Sequence, residues 1–429
     1  MPAAPLRLGL AGLGTVGIGV VKIVQAEAGL IAARAGRPVA ITAVSARDRS
    51  KNRDADLSGY AWETDPVALA RREDVDVFVE VMGGHEGAAK AATEAALAAG
   101  KHVVTANKAL LAHHGQALAE TAEAAGLSLR FEAAVAGGIP VIKALTEGLA
   151  GNRMKRVMGV MNGTCNYILT RMQSAGLPYD QVFEEARSLG YLEADPNLDV
   201  GGIDAGHKLS LLAAIAFGTR VAFDAVELEG IGNVSIDDIR LAEDMGYRIK
   251  LLGVAQMTGR GLEQRMTPCL VPADSPLGQL QGGTNMVVLE GDSVGQIVLR
   301  GPGAGMGPTA SAVMGDVIDL ARGFRVPTFG IPAAQLVPAQ PARAATPAPY
   351  YLRMTLVDKP GALAKIATCL GDAGVSIDQM RQYGHEGANA PVLIVTHKAA
   401  PDDLAHAMAR FAATGVLTGA PVAIRIEEV

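Results

Sequence analysis

The stretch LRLGLAGLGTVG, residues 6–17, places a short apolar run directly before the glycine pattern G-x-G-x-x-G. The residues that follow, VGIGVVKIVQAEAGLIAAR, have the apolar spacing of a helix. A strand, a tight glycine turn and a helix form the setting in which this pattern binds the pyrophosphate of a dinucleotide. Within the turn, Gly12 permits the bend, Gly14 lets the pyrophosphate approach the backbone, and Gly17 allows close packing of helix on strand. The stretch predicts the start of a doubly wound, Rossmann-type parallel sheet.

The second predicted strand, Val39–Ser45, ends without the Asp or Glu that would bind a ribose diol. It runs instead into ARDRSK, residues 46–51, where Arg47 and a neighbouring cation could neutralise a 2′-phosphate. NADP(H) is therefore favoured as the cofactor. NAD(H) is the alternative, in which Asp48 binds the ribose and the cations are exposed loop residues.

Two further strands position a lysine over the cleft of this sheet. DVFVEVMGG, residues 76–84, is a nearly continuous apolar run of the kind found in covered parallel strands. The strand His102–Thr105 leads directly to Lys108. Because ligands of open α/β sheets lie at the carboxyl ends of the strands, we expect Lys108 on the nicotinamide side. Another strand is expected at Leu127–Glu132.

The segment GYLEADPNLDVGGIDAGHK, residues 190–208, combines carboxylates and a lysine immediately before an apolar run. The pattern from Ile203 onward predicts a helix, with Asp204 and Lys208 one turn apart on the same face. An acidic loop beside a lysine suits a substrate with an ammonium group and a hydroxyl that loses a proton. The alternative is an ordinary i,i+4 helix pair worth about 0.3–0.5 kcal/mol, with the other acids on a solvated loop.

Composition excludes several classes of protein. The chain has 429 residues, 49% of them hydrophobic, and a net charge of −6, which offers no broad basic surface for nucleic acid. The first residues show no export signal, and no run approaches the ~18 apolar residues of a membrane span. The three cysteines are odd in number and widely spaced, so neither a disulfide framework nor a zinc site is indicated. We therefore expect a cytoplasmic protein.

Changes in pattern along the chain predict a Rossmann domain over residues 1–150, completed by a helix near 308–323. An α+β domain is expected over 151–330, and a Pro/Ala-rich linker over 331–348. The remainder, 349–429, reads as a βαββαβ module.

These motifs together resemble the homoserine dehydrogenase family, in its long, monofunctional bacterial type with a C-terminal ACT domain. The resemblance spans nearly the entire chain, and DKPGALAKIA in the last module resembles the ACT signature. Cys165 departs from the threonine expected at its position. The matching stretches are GLGTVG at 12–17, TANKAL at 105–110, EAAVAGGIP at 132–140, NGTCNYILTRM at 162–172, LGYLEADPNLDVGGIDAGHKL at 189–209 and GAGMGPTASAV at 303–313.

The resemblance implies reversible, NAD(P)H-dependent reduction of L-aspartate 4-semialdehyde to L-homoserine in threonine, methionine and isoleucine biosynthesis. It implies that Lys208 and Lys108, with Asp204 beside them, are the catalytic set. Substrate binding is implied for Glu193, Asp199, Asp204 and Lys108. Besides Gly12, Gly14, Gly17 and Arg47, which the glycine pattern and the end of the second strand already predict as cofactor contacts, the resemblance implies such contacts for Leu13, Thr15, Val16, Lys108, Gly190 and Gly303. It also implies that the domain over 151–330 serves catalysis and dimerisation.

The same resemblance implies a monovalent-cation site and a regulatory ligand. Glu132 and the backbone oxygens of Val135, Gly137 and Ile139 would hold sodium. The ACT module would bind L-threonine as a feedback inhibitor, the alternative being a dimerisation module without a ligand. A homodimer or homotetramer is expected on family grounds.

Two other functions are compatible with the architecture. One is a non-catalytic protein that senses NADP and an amino acid, but such a sensor would not need Lys108, Asp204 and Lys208. The other is a different NADP-linked amino-acid dehydrogenase, such as a diaminopimelate-type enzyme, which the block at 189–209 disfavours.

Overall fold

A computed structural model describes residues 4–193, 195–383 and 387–429 of the chain. Its first region is a six-stranded parallel sheet with the strand order β3-β2-β1-β4-β5-β6. The elements are β1 (Leu6–Ala11), α1 (Thr15–Ala26), α2 (Ala28–Ala35), β2 (Val39–Ser45), β3 (Ala61–Glu63), α3 (Pro66–Ala70), β4 (Val77–Glu80), α4 (Ala88–Ala98), β5 (His102–Thr105), α5 (Lys108–Ala124) and β6 (Leu129–Arg130).

This sheet confirms the predicted doubly wound fold. All four residues of β4 are buried, as expected for a strand covered by helices on both faces. The strand order reverses between β1 and β4, so their carboxyl ends open the crevice in which such sheets bind ligands. The strand expected over Leu127–Glu132 is shorter, because Glu132 already begins a 3₁₀ turn.

The second region combines helices with long antiparallel strands. Its elements are α6 (Val141–Lys143), β7 (Met154–Val160), α7 (Gly163–Ala175), α8 (Tyr179–Ser188), α9 (Pro196–Val200), α10 (Ile203–Phe217), β8 (Glu227–Leu228), α11 (Ile236–Asp244), β9 (Tyr247–Thr258), β10 (Gly261–Pro272), β11 (Thr284–Gly291), β12 (Gly295–Pro302) and α12 (Met306–Ala321). Helix α12 returns to the first region and packs on α1. A Cβ atom on Gly19 would lie 2.7 Å from the carbonyl oxygen of Met306, so the two helices are in close contact.

Helix α10 forms the centre of the second region. Every residue from Asp204 to Ala214 is buried, including the two charged residues of the predicted pair. Charges on such a helix are removed from water, and they are tolerated only where other groups pair with them.

The C-terminal module has the predicted βαββαβ order. It contains β13 (Tyr350–Val357), α13 (Ala362–Asp372), β14 (Ile377–Gln382), β15 (Asn389–Thr396), α14 (Pro401–Phe411) and β16 (Val422–Ile426). Strand β16 also pairs in parallel with β10, through Cys269 with Arg425 and Leu270 with Ile426. The second region and the module therefore share one ten-stranded sheet, and we call the β10–β16 junction the seam.

A buried network of charges crosses the seam. The guanidinium of Arg265 donates to Glu263 and to Glu427, and the Nε of Arg425 donates to the same Glu427. Arg265, Glu263 and Glu427 are each no more than 6% exposed. Glu427 therefore joins two guanidinium groups, one on each side of the seam.

Residues 331–348, expected to be a linker, are hydrogen-bonded to the second region. The backbone N–H of Leu262 donates to the oxygen of Gln340 at 2.7 Å, and that of Ala342 donates back to Leu262 at 2.9 Å. Thr346 donates from its N–H and hydroxyl to Glu263. This segment therefore packs along β10 as it leads into the last module.

Among the described residues, no single helix is long and apolar enough to cross a membrane. One bent pair, Thr15–Ala26 with Ala28–Ala35, meets the length and composition limits when its two helices are counted together.

We expect Glu427→Ala to lower the free energy of unfolding by about 3–5 kcal/mol, because it leaves two guanidinium groups buried without a shared carboxylate. The matched control is Glu428→Ala, since Glu428 is exposed and pairs with Lys398 at the surface. Its effect should stay within the ~0.5 kcal/mol typical of surface substitutions. Urea denaturation and calorimetry of both variants measure the difference, and equal effects would contradict the prediction.

Candidate active site

A cavity of about 660 Å³ lies between the first sheet and the second region. It begins at the glycine turn before α1, passes the carboxyl ends of β4 and β5, and reaches the first turns of α7 and α10. Many of the residues singled out in the sequence meet on its walls. They are Thr15, Val16, Lys108, Gly137, Gly190, Glu193, Asp199, Asp204, Lys208 and Gly303.

The glycine turn has the geometry of a pyrophosphate site. Gly12 has φ +103°, and a Cβ atom there would lie 2.7 Å from the carbonyl oxygen of Val81. At Gly14, by contrast, no heavy atom lies within 4 Å of the Cβ position, so the backbone faces open space. No side chain caps the start of α1, which leaves its first amides available to an anion. The turn therefore fits a dinucleotide.

The end of β2 carries the residues expected to select the cofactor. Arg47 is exposed beyond the strand. The carboxylate of Asp48 accepts hydrogen bonds from the hydroxyl and the N–H of Ser50, and these bonds lower the pKa of Asp48. Arg53, which the sequence did not single out, donates from Nε to the carbonyl oxygen of Leu13 at 3.2 Å. The carboxylate of Asp48, at the end of β2, is thus already hydrogen-bonded within its own turn.

Lys108 is the first residue of α5, and two buried side chains hold the turn that precedes it. Glu80 accepts hydrogen bonds from the N–H of Gly83 and, at 2.6 Å, from the hydroxyl of Thr105. Asn107 caps α5 with its Oδ1 and donates from Nδ2 to Gly84. Neither Glu80 nor Asn107 was recognised in the sequence. A glutamate inside an otherwise apolar strand is the signal that could have identified Glu80.

The carboxylate of Asp204 lies between two lysines. Its Oδ1 is 2.8 Å from Nζ of Lys108, and its Oδ2 is 2.7 Å from Nζ of Lys208. Lys208 also donates to the carbonyl oxygen of Met161 at 2.8 Å. Asp204 is 5% exposed and Lys208 8% exposed. The pair is therefore not the solvated helix pair that was considered as the alternative.

The pKa values of Asp204 and Lys108 depend on the contact between their side chains. Burial alone would raise the pKa of Asp204, but Lys208 and Lys108 outweigh burial and hold that pKa well below its ordinary value. Burial would lower the pKa of Lys108, but Asp204 outweighs it, so the pKa of Lys108 is raised. Burial also raises the pKa of Glu193, whose carboxylate lies 3.8 Å from Lys108. At neutral pH Asp204 is an anion and Lys108 a cation.

Asn162 connects the two buried aspartates. Its Nδ2 donates to Asp199 at 2.9 Å and to Asp204 at 3.2 Å, while its Oδ1 accepts from the N–H of Cys165 and caps α7. The other oxygen of Asp199 accepts the N–H of Glu193 at 2.9 Å. In the sequence this asparagine stands out only as the first residue of the stretch NGTCNYILTRM. Its role depends on contacts about forty positions away along the chain.

Cys165 is buried at the position where threonine was expected. Its thiol is fully buried and lies 3.2 Å from the carbonyl oxygen of Asp199. Burial raises the pKa of this thiol well above its ordinary value, so it remains protonated. Cys165 is therefore a packing residue beneath the site.

Of the residues expected to hold sodium, Gly137 lies on the wall of the cavity, and Glu132, Val135 and Ile139 do not line it. Both carboxylate oxygens of Glu132 accept backbone N–H groups at 2.9 Å, from Ile142 and Lys143. Burial, followed by repulsion from Asp316, raises the pKa of Glu132 to about 7. The carbonyl oxygen of Ile139 accepts the N–H of Val141. Each of these oxygens keeps a second lone pair, and oxygen donors of this kind suit a hard cation.

Histidines outside the predicted site form an aromatic cluster across the two regions. The ring centroid of His113 lies 4.5 Å from that of His85 and 5.5 Å from that of His207. Burial lowers the pKa of His207 to about 4, so this ring is neutral at neutral pH. No group of three or more His, Cys, Asp or Glu residues in the described ranges could hold a metal ion.

Comparison with known proteins gives consistent results along the chain. Residues 140–318 match the family model described as homoserine dehydrogenase, residues 12–132 match its NAD-binding domain, and residues 350–415 match the ACT domain. A homoserine dehydrogenase of Neisseria gonorrhoeae is 43% identical, with 99% of each chain covered. The chain belongs to the homoserine dehydrogenase family.

Solved structures of the family agree with this assignment. A homoserine dehydrogenase from Thiobacillus denitrificans is 40% identical and has a TM-score of 0.93, with 100% of this chain and 99% of that chain covered. A hyperthermophilic archaeal homoserine dehydrogenase in complex with NADPH is 26% identical, with a TM-score of 0.64 over 75% of this chain and 99% of that chain.

Membership of the family defines the reaction. The protein is an oxidoreductase that acts on a CH–OH group with a nicotinamide cofactor. It interconverts L-aspartate 4-semialdehyde and L-homoserine in amino-acid biosynthesis.

We expect Asn162→Ala to lower the free energy of unfolding by about 1–3 kcal/mol, because α7 loses its cap and two buried carboxylates lose a donor. Asn52→Ala is the control, since Asn52 is exposed and caps only a surface turn. Thermal and urea denaturation measure both variants. An Asn162→Ala variant as stable as the control would contradict a structural role for this amide.

Proposed function

We propose that Lys108 and Lys208 transfer the proton between the enzyme and the substrate oxygen, and that Asp204 holds the two ammonium groups in position. The observation that carries the proposal is a single buried carboxylate held at 2.7–2.8 Å by two ammonium groups. This group faces a cavity that starts at a turn suited to a dinucleotide. A bound nicotinamide would supply the hydride acceptor in oxidation and the hydride donor in reduction.

The substrate's amino-acid end is proposed to bind at Glu193 and Asp199. Both oxygens of Asp199 already accept hydrogen bonds, from Asn162 and from the N–H of Glu193. The side chain of Glu193 is 46% exposed at the cavity, and burial raises its pKa. An ammonium group beside Glu193 would stabilise its charged form. Glu193 is therefore the proposed partner of the substrate's ammonium group. Asp199 positions Glu193 by accepting its backbone N–H.

The lysines differ in their remaining hydrogen-bond capacity. Nζ of Lys208 uses two of its three N–H groups on Asp204 and on the oxygen of Met161, which leaves one for the substrate oxygen. Because the pKa of Lys108 is raised, its charged form is ready to donate a proton to the aldehyde oxygen during reduction. Oxidation needs a lysine that has lost its proton, so we expect oxidation to accelerate as pH rises.

NADP(H) is the proposed cofactor, held by the glycine turn Gly12–Gly17, by Gly190 and by Gly303. Arg47 would neutralise the 2′-phosphate, and Asp48 is occupied with Ser50. The archaeal relative whose structure contains NADPH supports this preference.

Sodium is proposed at Glu132 with the oxygens of Val135, Gly137 and Ile139, as a structural ion.

The division of the chain into residues 1–150, 151–330 and 349–429 remains our proposal for its domains, with residues 331–348 as the connection. We propose a homodimer or homotetramer, and the exposed outer strand β12 supports pairing with a second copy.

A cytoplasmic location is proposed, and the three unpaired, buried cysteines support a reducing compartment.

Feedback inhibition by L-threonine is proposed for the ACT domain. The family match over residues 350–415 supports a regulatory module. Its shared sheet with the catalytic region supports coupling between the two, because β16 pairs directly with β10.

We expect Lys208→Ala to bind NADP like the parent chain but to lose at least a hundredfold in kcat, because the substrate oxygen loses its proton-transfer group. The assay follows homoserine-dependent reduction of NADP at mildly alkaline pH. Lys155→Ala, at a solvent-exposed lysine of β7, should keep the parent rate. Near-normal turnover in Lys208→Ala would remove this lysine from the mechanism.

We expect Arg47→Ala to raise KM for NADP about ten- to hundredfold and to leave KM for NAD unchanged, since a hydrogen bond to a charged group contributes ~1.5–3 kcal/mol. Arg71→Ala removes an exposed cation away from this tip and serves as the control. Parallel changes for both cofactors would contradict a phosphate-binding role for Arg47.

A further inference from the structure

A second cavity of about 260 Å³ lies at the seam. Its walls are the segment Glu227–Gly230, the middle of β10 and the last strand, β16. The cavity is smaller than the ~300–1,000 Å³ sites of drug-sized ligands, so it suits a small metabolite. One wall therefore belongs to the catalytic region and the opposite wall to the ACT domain.

The catalytic wall carries carboxylates without a cation. Glu227 and Glu229 form no ion pair with any residue in the described ranges. Burial, and then repulsion from Glu227, raises the pKa of Glu229. Asp238, a third carboxylate of the wall, is already paired with Arg353. An ammonium group beside Glu227 and Glu229 would relieve the repulsion between them.

Both sides of the seam carry donors suited to a carboxylate, Arg425 from the ACT domain and Arg265 from β10. Arg425 uses its Nε on Glu427 and one terminal nitrogen on the hydroxyl of Tyr350, which leaves its other terminal nitrogen. Arg265 also lines the cavity, is 3% exposed, and has an Nε without an acceptor among the described residues. Apolar side chains complete the walls, among them Val234 and Ile424.

These features match an α-amino acid with a small side chain. Its ammonium would face Glu227 and Glu229, its carboxylate would face Arg425, and its side chain would lie among the apolar residues. We propose that the seam cavity binds such an amino acid as an effector. The proposal rests on the proposed regulation by threonine and assigns the ligand to a site within one chain, between the catalytic region and the ACT domain.

The catalytic wall is in direct contact with the helix that carries the active-site charges. Gly206 lies between Asp204 and Lys208 on α10, and a Cβ atom there would be 2.8 Å from Cδ2 of Leu228. The N–H of Ile231 donates to the oxygen of Val200 at 2.9 Å, just after Asp199. A ligand that draws the two walls of the seam together would therefore press on the segment that holds Asp199 and Asp204.

The competing location is the turn Asp358–Gly361, which borders a separate cavity within the ACT domain. The two locations are distinguished with the full chain and L-threonine as the probe. Glu229→Gln removes a charge from the seam, and Ala423→Phe fills the seam cavity from the exposed side of β16. Lys359→Ala alters the turn and leaves the seam intact.

For each variant we measure the threonine concentration that halves its own rate without threonine. We expect this concentration to rise at least tenfold in Glu229→Gln and in Ala423→Phe. Lys359→Ala should stay within twofold of the parent chain. Calorimetric titration with threonine, at saturating homoserine and NADP, should show the same order. Unchanged inhibition in both seam variants would overturn the proposal, as would loss of inhibition in Lys359→Ala alone.

A parent chain that threonine does not inhibit would contradict the proposed threonine regulation, and the seam would then be tested with other probes. The parent chain and its Glu229→Gln variant would each be titrated with glycine, L-serine, L-methionine and L-isoleucine. Binding that is lost in Glu229→Gln would support the seam site. Binding by none of these amino acids would overturn it.

Discussion

The candidate active site depends on keeping the carboxylate of Asp204 charged in a buried position. An isolated carboxylate there would be costly, and it is stabilised by Lys108, Lys208 and the amide of Asn162. These three partners come from α5, from α10 itself and from the residue that caps α7. Packing of the first sheet against the second region therefore brings these charges together. The ion pair between Lys108 and Asp204 in turn joins the two regions.

A second group of buried charges acts similarly at the seam. Glu427 joins Arg265 of the catalytic region to Arg425 of the ACT domain, within a sheet that runs through both. Such a junction is stiffer than a flexible linker, because strands of one sheet move together. The wall beside it contacts α10 through Leu228 and Gly206. The ACT domain and the helix that carries Asp204 and Lys208 are thus connected by packed elements over a short distance.

Much of the fold was predictable because its signals are local. The glycine turn, the apolar parallel strands and the βαββαβ module follow from the spacing of neighbouring residues, and each appears where it was expected. Predictions failed where long-range contacts decide the outcome. The strand at Leu127–Glu132 ends early because Glu132 turns into buried contacts with Ile142 and Lys143. The roles of Glu80, Asn107 and Asn162 were missed for the same reason, since their partners lie in other elements.

The sequence by itself determined the family, the order of the elements and the identity of the charged residues, because motifs and periodicity are properties of adjacent positions. It also indicated that Asp204 and Lys208 share one face of a helix, which follows from helical spacing. Only the tertiary structure decided that Lys108 completes this pair, that its pKa is raised rather than lowered, and that the seam contains a cavity. Those properties depend on distances and burial between residues far apart in the chain, and no local pattern encodes them.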